Sequence, residues 1–239
     1  NRLNRGLILG PDGNKMSKSK GNVIDPDEYV SRLGADTVRT YLAFIGPYNE
    51  PGSYPWNPDS IVGVKRFLER VYGLRDIVDL ESSVIKDESV RAQAIKKVGE
   101  SLKSLKMNTG VSSLMVYLNS LEKQDLVSRE EYETLLKLLA PFAPHLSEEI
   151  WESLGHQNSI HLEAWPSFDE SKLQSDEVLY VVQIASKIRG KFLAPANLSQ
   201  AEVEERAKAL PEVEKWLSNK TIIKSIFVPN KIINFVLAD

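Results

Sequence analysis

The spacing of apolar residues changes once along this chain, and that change limits the folds open to it. Between residues 57 and 155 apolar positions recur every three or four residues; from Val178 onward they recur every two. The first spacing lines one face of a helix and the second lines one face of a strand. Ile61, Val64, Phe67, Leu68, Val71, Leu74 and Val78 form the first helical stripe, with Asn57 as cap and Pro58 at the first helical position. After a polar linker over 81–88, Val90, Ala94, Val98, Leu102 and Leu105 form the second, which Asn108-Thr109-Gly110 interrupts. Val111, Leu114, Met115, Leu118 and Leu121 make the third. Ser128 and Glu131 can form a capping box for the fourth, which carries Tyr132, Leu135, Leu136 and Leu139. Pro141 and Pro144 end it, and HLSEEIWESL is the fifth. Five amphipathic helices on short loops predict a bundle whose stripes are core.

Residues 156–176 read as a linker. Beyond it, 178–186 and 188–194 read as paired strands. Ser199 and Glu202 box a helix reaching about Leu210, and Pro211 opens a further helical turn with Val213 and Trp216. Strands 222–228 and 231–237 flank Pro229-Asn230. The expected fold is mainly α with a small ββααββ-like α+β module of about 60 residues, enough for its own core.

Upstream of the bundle, KMSKSKGN (Lys15 to Asn22) carries Lys15, Lys18 and Lys20 within six residues, with Ser17 and Ser19 between them and Gly13 and Gly21 outside. Three like charges on a short polar loop repel one another unless an anion or open solvent faces them. Ammonium groups, hydroxyls and backbone N–H groups can converge there on a polyphosphate. A strand through Leu7–Leu9, ending at Pro11-Asp12-Gly13, precedes the loop. Two short helices follow. Asp25, Pro26 and Glu28 make an Asp-x-x-Glu box for the first, Gly34 stops it, and Val38, Tyr41, Leu42 and Ile45 line the second. GPYNEPGSYPWNP (46–58) reads as a loop and domain junction. The expected parts are 1–56, 57–174 and 175–239.

A net charge of −3 excludes a generic polyanion binder, so any nucleic-acid contact must use local patches. Zero cysteines exclude disulfides and thiolate zinc sites, and His145, His156 and His161 do not form a metal-ligand pattern. No apolar run approaches a membrane span. The chain starts without Met and reads as a piece of a longer protein.

KMSKSKGNVIDPDEYVSRLGADTVR resembles the nucleotide-binding signature of class I aminoacyl-tRNA synthetases, extended through Asn22, Asp25, Pro26, Gly34, Ala35, Asp36 and Arg39. FIGPYNEPGSYPWNPDSIVGVKRFLERVY is similar to the leucyl family's Gly-Pro segment and following helix. MNTGVSSLMVYLNSL, LAPFAPHLSEEIWESLG and HLEAWP resemble the helical domain named for anticodon binding. VVQIASKIRGKF and VPNKIINFVL resemble the C-terminal domain of bacterial-type leucyl-tRNA synthetases. The resemblance implies ATP as substrate with Mg2+ accompanying it, leucine, leucine tRNA as partner, a cytoplasmic monomer, and no metal site in this stretch. It implies Lys18 and Lys15 as catalytic, Lys18 being the principal phosphate contact, and Lys15, Met16, Ser17, Lys18 and Ser19 together as the loop that binds the ATP phosphates, with Lys15, Ser17 and Ser19 assisting or shaping it. For Lys187, Arg189 and Lys191 it implies tRNA-body contact; the other reading of these three is strand-edge charge that prevents aggregation.

The family's His-x-Gly-His signature is absent, so the chain alone is expected not to aminoacylate. Ala185-Ser186 stands where the family has Asn-Gly, which weakens the expected tight turn. A valyl, isoleucyl or methionyl relative, or a non-catalytic RNA-binding protein built of synthetase parts, are the alternatives. The missing cysteines, the terminal module and the intact lysine loop argue against them.

Overall fold

The structure, a computed structural model, describes residues 6–47, 52–173, 177–196, 198–218 and 220–237. The chain divides into two compact units, Asn1–Leu173 and Gln174–Asp239. Both are built as the change of spacing requires: helices in the first, a four-stranded sheet with two helices in the second.

In the first unit, β1 (Leu7–Leu9) leads into the lysine loop, followed by α1 (Pro26–Leu33) and α2 (Ala35–Phe44). Asp25 caps α1, but its side chain accepts from the Asp27 N–H at 3.0 Å rather than closing a box with Glu28. Part of the expected loop 46–58 is a strand, β2 (Ser53–Pro55), which pairs in parallel with β1; residues 48–51 of that stretch lie outside the described residues. Val38, Tyr41, Trp56, Ile61 and Val64 form a small buried core shared by α2 and the start of α3 (Pro58–Gly73). Trp56 packs edge-on against both Tyr29 and Tyr41.

The bundle comprises α3, α4 (Glu88–Lys103), α5 (Met107–Leu121), α6 (Arg129–Leu139) and α7 (Pro144–Ser153). A two-residue parallel bridge joins β3 (Val78–Asp79) to β4 (Val127–Ser128). Leu114, Leu118, Leu135, Leu136 and Leu139 are fully buried, each contributing about 1.5–3 kcal/mol by leaving water. Asn57 caps α3 through Asp59 and Ser60, and Ser128 with Glu131 forms the capping box of α6.

Three expectations change. The break between α4 and α5 falls at Ser104–Lys106, where Leu105 has φ +59°, and not at Asn108-Thr109-Gly110. Gly110 lies inside α5 because the helices approach closely there: a Cβ would collide with Ser101 Oγ and stand 3.1 Å from Phe142 Cζ. The α4 stripe also includes a cation. Arg91, 8% exposed, pairs with Glu88 at 3.1 Å and Glu130 at 2.8 Å and donates to Thr134 Oγ1. Finally, 156–173 is no free linker. Ile160 is buried in the bundle core, Phe168 packs against it, and His156 stacks on Trp151 at 3.6 Å. Apolar residues spaced without a period gave no sign of this packing. Residues 174–176 of that stretch lie outside the described residues.

In the second unit the sheet order is β6 (Lys187–Pro195), β5 (Glu177–Ile184), β8 (Ile232–Leu237), β7 (Ile222–Val228). β5 and β8 run parallel; the outer pairs are antiparallel. α8 (Gln200–Lys208) and α9 (Pro211–Leu217) bury Val203, Ala207 and Val213 with Tyr180, Val182, Ile184, Ala194, Ile233 and Phe235. Ser199 and Glu202 form the capping box of α8. Among the described residues no helix is long and apolar enough to cross a membrane.

Candidate functional site

The lysine loop is fastened by polar side chains. Gly10 turns the chain out of β1, its N–H donating to Asn14 O at 2.8 Å, and Leu9 bridges Lys15. The Asp12 carboxylate accepts from the Asn14 N–H at 3.1 Å and from the Asn14 and Asn22 amides. Asn22 reaches across the loop. Its Oδ1 accepts from the Ser17 N–H at 2.8 Å, and its Nδ2 donates to Asp12 and to Lys15 O. These donors, Asn22 first and Asn14 next, hold the Asp12 carboxyl below its usual range. Lys18–Lys20 form one 3₁₀ turn, closed by Gly21 at φ +66°, where the left-handed conformation suits a residue without Cβ. Ser17 and Ser19 hydroxyls lie 2.8 Å apart.

This network sorts the loop's side chains. Met16 is half-buried against the small core shared by α2 and the start of α3. Lys15, Lys18 and Lys20 are exposed, and none forms an ion pair among the described residues. A backbone fastened by side-chain hydrogen bonds thus carries three cations without an ion-pair partner among the described residues, which suits an anion of several charges. Asp12 and Asn22 are the residues that sequence reasoning undervalued. Asp12 reads as an ordinary turn residue, and only its spacing from Asn14 marks an Asx turn.

The basic strand is arranged differently. Alternation alone would place Lys187, Arg189 and Lys191 on one face of β6. The register instead steps from Val182↔Gly190 to Gln183↔Ile188, leaving Arg189 as the extra residue of a β-bulge. Lys191 pairs with Val181, on the face away from the helices, whereas Lys187 pairs with Ile184, on the helix side. Arg189 lies over the Trp216 ring of α9 at 3.4 Å, and its Nε has no hydrogen-bond acceptor. The three cations are therefore not gathered.

The Ala185-Ser186 turn is tight despite the missing Asn-Gly. Both residues take left-handed φ, +48° and +63°. The cost is offset from β8: the Ala185 N–H donates to Phe235 O at 3.0 Å and the Ser186 N–H to Asn234 Oδ1 at 3.2 Å.

The three histidines each lie beside a carboxylate: His145 by Asp36, His156 by Glu133, His161 by Glu148. Among the described residues no group of three or more His, Asp or Glu is placed to hold a metal.

Two family models match parts of this chain. Residues 1–51 match the family model described as tRNA synthetases class I (I, L, M and V), and residues 88–205 match the anticodon-binding domain of tRNA ligase. Leucine–tRNA ligases from Chlorobium chlorochromatii and Chlorobaculum parvum are 43% and 45% identical over 98% of the chain. Nearly the whole chain is similar to a stretch of these leucine–tRNA ligases, and it spans about 30% of their length. The leucyl enzyme of Agrobacterium radiobacter K84 agnB2, solved as a ternary complex with tRNA and LeuAMS, superposes over 99% of this chain and 33% of its own, with a TM-score of 0.71 and 32% identity.

Proposed function

We propose that this chain is the part of a leucine–tRNA ligase that carries the phosphate-binding loop and the tRNA-body-binding domains. In that reading 1–56 completes the catalytic domain and contacts the tRNA stem, 57–174 is the tRNA-binding bundle, and 175–239 is the small tRNA-binding terminal domain. The observation that carries it is the fastened loop whose three lysines form no ion pair among the described residues, in a chain similar to leucyl ligases over nearly its whole length.

The complete enzyme joins leucine to ATP. The leucine carboxylate attacks the α-phosphorus and the bond to pyrophosphate breaks; the 3′-terminal ribose of leucine tRNA then takes the leucyl group and AMP leaves. Charge builds on the α-phosphate and pyrophosphate oxygens in the first step, and cations already in place there lower the barrier. Lys18 is the principal contact and Lys15 assists. Ser17 and Ser19 hold the turn that presents them, and Met16 anchors it. Mg2+ arrives with ATP; the loop offers it no spare carboxylate, since Asp12 is engaged by Asn14 and Asn22. The enzyme is a cytoplasmic monomer. The chain by itself does not aminoacylate.

On the terminal domain, Lys187 and Lys191 supply mobile point charges and Arg189 a fixed planar one for tRNA phosphates. Titrating the chain with leucine tRNA and an unrelated tRNA at two salt concentrations tests this. Tighter binding of leucine tRNA, weakening with salt and with charge removal at Lys187 and Lys191, is the expected result. Equal weak binding of both RNAs would remove the tRNA-body role from these domains.

A further inference from the structure

We propose that Asp36 is a positioning residue: it fastens the helix behind the lysine loop to the bundle, and so sets where the loop stands relative to tRNA held on the bundle. This rests on the functional reading above. α7 starts at Pro144 with Ala143 as its cap residue and no side-chain cap bond of its own. A helix start leaves N–H groups without partners. Asp36, in the first turn of α2, provides the missing acceptor from 110 residues away. Its Oδ2 accepts from the Leu146 N–H at 2.7 Å, and its Oδ1 lies 2.8 Å from His145 Nδ1. The carboxylate also faces the positive end of the α7 dipole.

One turn further along α2, the buried Thr40 donates through Oγ1 to Phe142 O at 3.3 Å. α2 is thus tied at two successive turns to the segment that opens α7. At its other side α2 shares a core with the loop, since Met16, Ile24, Tyr29 and Leu33 pack against the cluster that Val38 and Tyr41 form with Trp56, Ile61 and Val64. A continuous packed path runs from the loop through α1 and α2 to Asp36 and α7. Asp36 touches no reacting atom; it acts through placement, and small misplacements at a reacting centre cost rate steeply.

The test uses the complete ligase that contains this chain, with Asp36→Ala, Asp36→Asn and Asp36→Glu. Asp36→Ala should slow leucine transfer to tRNA about tenfold or more while changing tRNA-free ATP–pyrophosphate exchange by less than about threefold. Asn caps a helix about as well as Asp, so Asp36→Asn should recover most of the loss. Should Asp36→Ala fail to fold, Asp36→Glu, which keeps the charge and displaces it by one methylene, should show the same split. Hydrogen exchange at the Leu146 amide of the chain itself should speed up in Asp36→Ala and not in Asp36→Asn. Unchanged Leu146 exchange, no rescue by Asn, or transfer and pyrophosphate exchange falling by the same factor would each overturn the proposal. A wild-type enzyme that performs neither reaction would instead refute the functional reading, with Leu146 exchange still testing the tie.

Discussion

The two basic clusters of this chain are nearly alike in sequence and opposite in setting. Lys15, Lys18 and Lys20 span six residues; Lys187, Arg189 and Lys191 span five. In the loop, asparagine and aspartate side chains fasten the backbone, and the ammonium groups form no ion pair among the described residues. On β6 the backbone belongs to a sheet ladder, a bulge separates the cations, and Trp216 takes up the middle one. Charge spacing therefore does not decide which cluster is a site. What matters is what holds the backbone and what already faces the charged groups. A guanidinium stacked on indole is partly satisfied by the fold, while an ammonium without an ion-pair partner on a hydrogen-bonded loop keeps its attraction for a ligand.

The largest expected effect lies at Lys18. In the complete ligase Lys18→Ala should slow ATP–pyrophosphate exchange about 10²–10³-fold, the scale of losing one well-placed charge donor. The stability of the chain should stay within about 0.5 kcal/mol, since Lys18 is exposed and its side chain forms no ion pair among the described residues. Lys191→Ala should leave exchange unchanged and weaken tRNA binding more at low salt than at high salt. Exchange slowed equally by both substitutions would erase the distinction between the clusters.

Next in size is the coupling of Arg189 to Trp216. A double-mutant cycle on thermal stability with Arg189→Ala and Trp216→Ala should give about 0.5–2 kcal/mol. Zero coupling would mean that Arg189 is as free as Lys18, and the contrast would have to be redrawn.

A smaller effect concerns how the loop is fastened. Asn22→Ala removes the acceptor of the Ser17 N–H and should speed amide exchange at Ser17 by about tenfold, near 1 kcal/mol for a hydrogen bond of this kind. The same network predicts a pH dependence. Asp12 is depressed from its ordinary value of 3.8, chiefly by the Asn22 amide and then by Asn14. A carboxyl depressed in the folded state stabilises that state above its unfolded value, and the contribution disappears as pH falls through the depressed one. Ser17 exchange, corrected for the intrinsic rate, should therefore rise below about pH 3.8. In Asp12→Asn that rise should vanish.

How much of this was legible in the sequence follows from the range of each interaction. The stripes of α3 and α6, the boxes at Ser128 and Ser199, and the strand–strand–helix–helix–strand–strand order are local, so periodicity and capping chemistry revealed them. The lysine loop was visible as a charge cluster, but its staple was not, because Asn22 and Asp12 meet across ten residues. Arg91 inside the bundle, Gly110 as a close approach rather than a helix break, and Asp36 capping α7 all depend on partners far along the chain. The β6 bulge was hidden for a related reason: one unpaired residue inverts a face without altering composition.

The smallest expected effect returns to the hairpin that opens the basic strand. Ala185 and Ser186 both sit at positive φ, where an L-residue with a Cβ is strained by about 1–2 kcal/mol. Replacing them with Asn and Gly should relieve that strain, yet the expected gain is only about 0.5–1 kcal/mol. The turn is already held from outside, because Asn234 accepts from the Ser186 N–H just as Asn22 accepts from the Ser17 N–H in the loop. Thermal unfolding of Asn234→Ala in both backgrounds separates the two contributions. The substitution should destabilise the native turn more than the Asn-Gly turn, which needs less help to adopt its shape. Equal losses would mean that the Asn234 bond does not offset turn strain. The shared asparagine staple would then be incidental, and what distinguishes the two clusters would reduce to what faces their cations.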